Sequence, residues 1–166
     1  MMSQIVDFLE GKGADNQGRY LSDIWSFPML LLEGTHDFIQ WMFPLDVPSH
    51  SNRLAPLLTQ QDCLEIQQSE IVQQNLMKSL HCMCQFWGID IQDNQFVAQQ
   101  GLDRMNFNHF WLRRTNHNQL RMTRVIKSLA MLGLPELAKQ FQQGILNIAK
   151  DYNINQETLA MWKTAL

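Results

Sequence analysis

Charge is what this sequence has least of. Asp, Glu, Lys and Arg make up 17% of 166 residues while apolar types make up 45%, a balance that excludes a disordered chain. Cysteine is also scarce: Cys63, Cys82 and Cys84 are an odd set, which argues against a disulfide framework. A domain of this length buries roughly 70% of its unfolded surface and needs no covalent staple. The longest apolar run, Phe27–Leu32, has six residues and contains Pro28, far short of the ~20 a membrane-spanning helix requires. Met1–Gly11 lacks a basic segment followed by an apolar stretch, so the expectation is no secretion, with reduced thiols in the cytoplasm or another reducing intracellular compartment. GxGxxG, GxxxxGK[ST] and HExxH are all missing, and no cofactor is expected. Alternating polarity is almost absent as well; Gly88–Ile91 comes nearest and is too short to argue for a strand.

The place of charge is taken by carboxamides, nineteen Gln and eleven Asn, scattered rather than in tracts. Around them helical periodicity dominates. Ser69 predicts an N-cap for a helix ending near Gly88, with Val72, Leu76, Leu80, Met83 and Trp87 along one face. Asn116 or Asn118 caps a second long helix with Met122, Val125, Leu129 and Leu132 facing inward. Gly133 then suits a left-handed position and Pro135 the first turn of the next helix. A last helix is expected after Asn155, and a short one after Ser3. Leu21–Phe27 and Met29–Met42 read as helical, the latter stopped by Pro44. Pro44–Pro56, with three prolines, reads as an ordered connection over the core. The expected fold is all-α: one compact domain, residues 1–166, built as a bundle of six to eight helices.

The net charge of −3 is unevenly placed. Residues 1–103 balance at −9, whereas residues 104–135 hold Arg104, Arg113, Arg114, Arg121, Arg124 and Lys127 without a single acid. On a helix beginning near Asn116, the steps of three and four through Arg114, His117, Arg121, Arg124 and Lys127 or Ser128 predict a cationic ribbon. Two readings stay open: anion or nucleic-acid binding through 113–127, aided by Phe107, Phe110 and Trp111, or pairing with the acidic first hundred residues. His36 and His117 are acid–base candidates without a recognisable nucleophile, so enzymatic activity is not expected unless folding brings them together. Residues 81, 82 and 84 diverge on a helix, and no metal site is expected of His81, Cys82, Cys84 and Cys63.

Two blocks carry a family resemblance. His36-Asp37-Phe38-Ile39-Gln40-Trp41-Met42-Phe43-Pro44-Leu45 resembles the H-[DS]-[YF]-I-Q-W-L-F-P-L signature of the opioid growth factor receptor conserved region. Asn116–Leu129 is similar to that family's S-H-N-x-L-R-[IL]-T-R-[IV]-[LI]-K-S-L block, followed here by Leu132-Gly133-Leu134. With Phe86-Trp87-Gly88-Ile89 and Asn108–Trp111 in order between them, the resemblance covers about residues 18–145. It implies a ligand-binding domain for a short enkephalin-type peptide, with nuclear-envelope association known of eukaryotic members. The chain resembles a minimal homologue without their long tail. Such a peptide is zwitterionic, with an aromatic near each end. The expectation is Arg121 or Arg124 on its carboxylate, Asp37 on its amine and Trp41 and Trp111 as walls, with His36, Gln40, His117 and Asn118 in the same site. The alternative is a protein-interaction scaffold in which Gln40, Asn118 and His117 satisfy buried backbone ends and indole N–H groups.

Overall fold

The computed structural model describes residues 3–99 and 107–166; Arg104 lies outside them. Among the described residues there are nine α-helices, one 3-10 helix and a two-stranded hairpin. In chain order these are α1 (Gln4–Leu9), α2 (Leu21–Trp25), α3 (Met29–Gly34), α4 (Ile39–Met42), α5 (Gln60–Gln68), α6 (Glu70–Phe86), β1 (Ile89–Gln92), β2 (Gln95–Ala98), the 3-10 helix (Phe107–Leu112), α7 (His117–Met131), α8 (Pro135–Ala149) and α9 (Gln156–Lys163).

The caps explain the boundaries. Ser3 and Ser69 accept the backbone N–H three residues on, and Asn116 and Asn155 the one two residues on. Thr59 and Asp62 form a reciprocal capping box that starts α5. That helix was not expected, because only Ile66 and half-buried Cys63 mark its inner face. Gly133 takes φ +98° after α7 and Pro135 opens α8. Met29–Met42 is two helices rather than one, since Thr35 is extended at φ −99°, ψ 123°.

The all-α expectation is corrected by the hairpin. Asp93 and Asn94 both have positive φ, 49° and 63°, the left-handed pair that lets a two-residue turn join twisted strands. Ile91 then pairs with Phe96. Two four-residue strands are marginal alone, but β2 lies on α8, where Phe96 meets the Phe141 ring edge-on at 5.4 Å.

Helix α6 packs mainly with α1, α2, α5 and β1, whereas α7 packs mainly with α8 and α9; the 3-10 helix touches both α6 and α7. One continuous apolar cluster nonetheless runs from Ile5 to Trp162. The join is made by indoles with polar partners. Trp111 donates to the Trp87 carbonyl at 2.8 Å, Trp87 to Asn118 at 3.1 Å, and Trp162 to the Gln119 carbonyl at 3.1 Å. All three rings are fully buried, so each N–H needs such a partner.

Gly144 is where the hairpin and α8 come closest. A Cβ there would stand 2.5 Å from Phe96 Cβ and 2.7 Å from its carbonyl oxygen. Gly144→Ala is therefore expected to destabilise the protein by about 1–3 kcal/mol despite its better helix propensity. Urea unfolding that leaves the stability of the variant unchanged or raised would contradict this packing.

Candidate functional site

Positions 117, 121, 124 and 128 of α7 recur every three or four residues and share one face. That face meets the chain from α3 to Pro44, where two very short helices leave carbonyls with no helical partner. Arg121 Nη1 donates to the Leu32 carbonyl at 2.7 Å and to Asn118 at 3.1 Å, and Nη2 to the Thr35 carbonyl at 2.8 Å. Its guanidinium also lies 5.3 Å from the Phe38 ring centre. Arg124 reaches the Phe43 carbonyl at 3.2 Å, and Ser128 Oγ the Pro44 carbonyl at 2.8 Å. The two family-like blocks thus meet, one supplying donors and the other acceptors.

Beside this seam sits an ionisable cluster. His117 Nε2 is 3.1 Å from Glu33 Oε1, without the alignment of a hydrogen bond, while Glu33 Oε2 accepts from Asn118 at 3.1 Å. The His36 ring stands edge-on to His117, centres 4.9 Å apart. Partial burial lowers the His117 pKa, Arg121 and His36 add to that, and Glu33 opposes it. Burial also lowers Arg121, to about 10, which leaves it charged at neutral pH. The two histidines do come together. Among the described residues, however, no hydroxyl or thiol is hydrogen-bonded to either ring.

The remaining expected site residues scatter. Asp37 is held by Arg19 at 2.8 Å, which also pairs with buried Asp15. Gln40 donates to the His36 carbonyl and accepts from Asn52. Trp41 is buried edge-on to Phe8 at 5.4 Å, and its indole nitrogen has no hydrogen-bond partner among the described residues. Trp111 lies with Trp162, its donor used by Trp87. Arg121 is 5% exposed and Arg124 half-buried, so the expected cationic ribbon is not continuous. Its exposed members are Arg113, stacked 4.0 Å from the Phe110 ring centre, Arg114 and Lys127. His81 is exposed and Cys84 buried; burial raises the Cys82 thiol to about 11.

A groove of about 420 Å³ between the start of α7 and α9 escaped the sequence reading. His117, Leu120, Thr123, Glu157, Thr158 and Met161 line it. Leu120 is 62% and Met161 42% exposed. Gln119, also lining it, is tied down: its side chain accepts from Thr158 at 3.0 Å and donates to the Trp111 and Arg113 carbonyls. The available signal was Leu120 itself, an apolar residue off the inward stripe of α7. A second groove, about 370 Å³, lies between the hairpin and α8 and is rich in carboxamides, including Gln95, Gln140, Gln143 and Asn147.

Arg121→Met would leave the Leu32 and Thr35 carbonyls without their donor, at an expected cost of about 2–4 kcal/mol. Arg121→Lys should recover less than half of that, because one ammonium cannot reproduce the fork. Denaturant unfolding of both variants checks this; a lysine variant as stable as the parent would contradict it.

Comparison with known proteins shows the family. The family model described as the opioid growth factor receptor (OGFr) conserved region matches residues 18–165. The opioid growth factor receptor of Homo sapiens is 33% identical over 123 residues, 70% of this chain and 18% of the relative. That of Mus musculus is 34% identical over 110 residues, 66% of this chain and 17% of the relative. Opioid growth factor receptor-like protein 1 of Xenopus tropicalis is 31% identical over 140 residues, 81% of this chain and 27% of the relative. The chain therefore spans less than a third of the length of these relatives, and no solved structure is a significant match. A family match over nearly the whole chain, with relatives of 31–34% identity, leads to one conclusion: this chain belongs to the opioid growth factor receptor conserved-region family.

Proposed function

We propose that this chain is an opioid growth factor receptor-like ligand-binding domain that takes a short enkephalin-type peptide in the groove between α7 and α9. The carrying observation is that Leu120 and Met161, 62% and 42% exposed, share this groove with Glu157 and with His117 of the second block. An apolar slot beside a carboxylate suits an aromatic residue next to a terminal ammonium. Glu157 takes the ammonium. Asn116, Leu120, Thr123 and Lys127 step by four, three and four along one strip of α7, so Lys127 is the cation toward which the peptide carboxylate extends. Arg114, two residues before Asn116, is the other. His36 stands beside His117 at the end of the groove, and Asp37 is engaged by Arg19 away from it. Gln40, Trp41, Trp111, Asn118, Arg121 and Arg124 act behind it, holding α7 and the α3–α4 chain in place. No helix among the described residues is long and apolar enough to cross a membrane. We assign the domain to a reducing intracellular compartment, with nuclear-envelope association by analogy to eukaryotic relatives.

A second reading has one observation in its favour: Arg113, Arg114 and Lys127 are exposed, and Arg113 lies over the Phe110 ring, leaving a cation and an aromatic face side by side at the surface. The exposed Met29, Leu30 and Leu31 of α3 favour a third, a protein-interaction scaffold.

Amide-shift titration separates these readings. An enkephalin pentapeptide is expected to shift residues 116–123 and 157–161 saturably, a scrambled peptide much less, and Leu120→Asp to weaken binding at least about tenfold, or 1.4 kcal/mol. Shifts confined to 113–114 and 127 with a short RNA, vanishing as salt rises, would replace the peptide reading with the anion reading. No response around the groove to the peptide would sink the proposal.

A further inference from the structure

Carboxamides in this fold commonly close backbone ends or indoles. Asn118 takes the Trp87 indole, Gln119 the Trp111 carbonyl, Gln73 that of Leu132 and Gln142 that of Trp162. Gln95, Gln140, Gln143 and Asn147 are different: among the described residues, none of these four side chains makes a hydrogen bond. All four line the second groove, the cavity of about 370 Å³ between the hairpin and α8. Four unused amides in one cavity are a set of donors and acceptors without a partner.

The backbone brings them together. Steps of three and four put Gln140, Gln143, Gly144 and Asn147 on one face of α8. Gly144 is the low point of that face, since with no side chain there the Phe96 carbonyl lies directly against the helix. The same contact covers the outer edge of β2 at Phe96, so no further strand can be added at that point. Gln95 enters from β2, next to the left-handed Asp93-Asn94 turn that completes the lining. Gln95, Gln143 and Asn147 are exposed and Gln140 is half-buried, so a ligand from solvent can reach them.

Their chemistry narrows the ligand. Each carboxamide offers N–H donors beside a carbonyl acceptor, and a hydroxyl is likewise donor and acceptor at once. Two neighbouring hydroxyls on a ring therefore match both ends of one amide. Among the described residues no Lys, Arg or His lines the groove, and Asp93 is its one ionisable group, so an anion would go unpaired. A flat base would want an exposed ring to stack on, but Phe96 is 3% exposed and Phe141 fully buried. Half-buried Val97 and the bare backbone of Gly144 suit the C–H face of a saturated ring instead. The volume is near the lower end of the roughly 300–1,000 Å³ of small-molecule sites, room for about one or two such rings.

We infer that the groove between the hairpin and α8 binds a neutral sugar, its hydroxyls held by the carboxamides of Gln95, Gln140, Gln143 and Asn147. This site shares no lining residue with the groove between α7 and α9 and does not depend on the peptide reading.

Titration followed by NMR tests it, because the side-chain NH2 signals of the four residues report on the contacts themselves. The probes are the methyl glycosides of glucose, galactose and mannose, the disaccharides maltose and lactose, and the uronates of the three hexoses. At least one neutral sugar is expected to shift those side-chain signals, with residues 93–97 and 140–147, saturably and with a dissociation constant on the order of 1 mM. The uronate of the same configuration is expected to bind at least about fivefold less tightly, as an unpaired anion should. Gln143→Ala combined with Asn147→Ala alters only exposed positions of α8 and keeps its helix propensity. It is expected to weaken binding at least about fivefold, the loss of about one or two hydrogen bonds, with the rest of the spectrum unchanged. Shifts that fail to saturate with every neutral sugar, tighter binding of the uronate, or unchanged binding by the double variant would each overturn the site. So would saturable shifts confined to the groove between α7 and α9.

Discussion

A single buried guanidinium holds the two halves of the family signature together. At the ends of the short helices α3 and α4 the capping N–H groups of Thr35 and Phe43 close only one carbonyl each, and the carbonyls around them lie buried or half-buried against α7. Arg121 gives two N–H donors to Leu32 and Thr35, and Arg124 and Ser128 continue the same line to Phe43 and Pro44. A planar fork with several donors suits this arrangement better than any other side chain. Its charge is tolerable because carbonyl dipoles, the Asn118 amide oxygen and the Phe38 ring surround it, with Glu33 one contact away. The spacing of the second block follows from this: donors at 121, 124 and 128 stay on one helical face while the acceptor chain runs past them.

Carboxamides finish what the arginines begin. Asn118 accepts from the Trp87 indole and from Arg121 and donates to Glu33, so one buried side chain joins α6, α7 and α3. Gln119, its neighbour, bridges the 3-10 helix, Arg113 and α9. Gln73 reaches the carbonyls of Ile66 and Leu132, and Gln142 that of Trp162. A neutral amide offers both donor and acceptor without the desolvation cost of an ion. Part of the unusual amide content therefore has a structural use, which is closing backbone ends and indoles where irregular segments meet helices.

The parts of this architecture that local chemistry determines were legible in the sequence. Ser69, Asn116, Gly133, Pro135 and Asn155 mark helix ends by side-chain and backbone properties that act within four residues, and α6 to α9 lie where those marks put them. The hairpin was missed because four residues of alternation are too few, although Asp93-Asn94 is a turn pair; its support comes from α8, a helix distant in sequence, through the contact of Phe96 with Phe141. The split between α3 and α4 was missed for a related reason, since the donors that end α3 sit on α7. At the site, the meeting of the two blocks was readable only as a wager. The direction of Arg121 and Arg124 was not readable, because an arginine on a polar face and one reaching carbonyls across a helix interface leave the same pattern. The groove lining on α9 gave no signal before its neighbours were known.

The proposed ligand site is the surface that this internal network leaves unused: the strip of α7 through Leu120, the facing side of α9 and the histidine pair at its edge. That division rests on Arg121 being an interior donor rather than a group waiting for an anion. NMR of the guanidinium N–H groups at neutral pH reads this directly. Arg121 is expected to give resolved, slowly exchanging Nη–H signals, with Arg114 averaged by rotation and exchange with water. An Arg121 signal as averaged and as fast-exchanging as that of Arg114 would contradict the clasp, and with it the division between frame and groove.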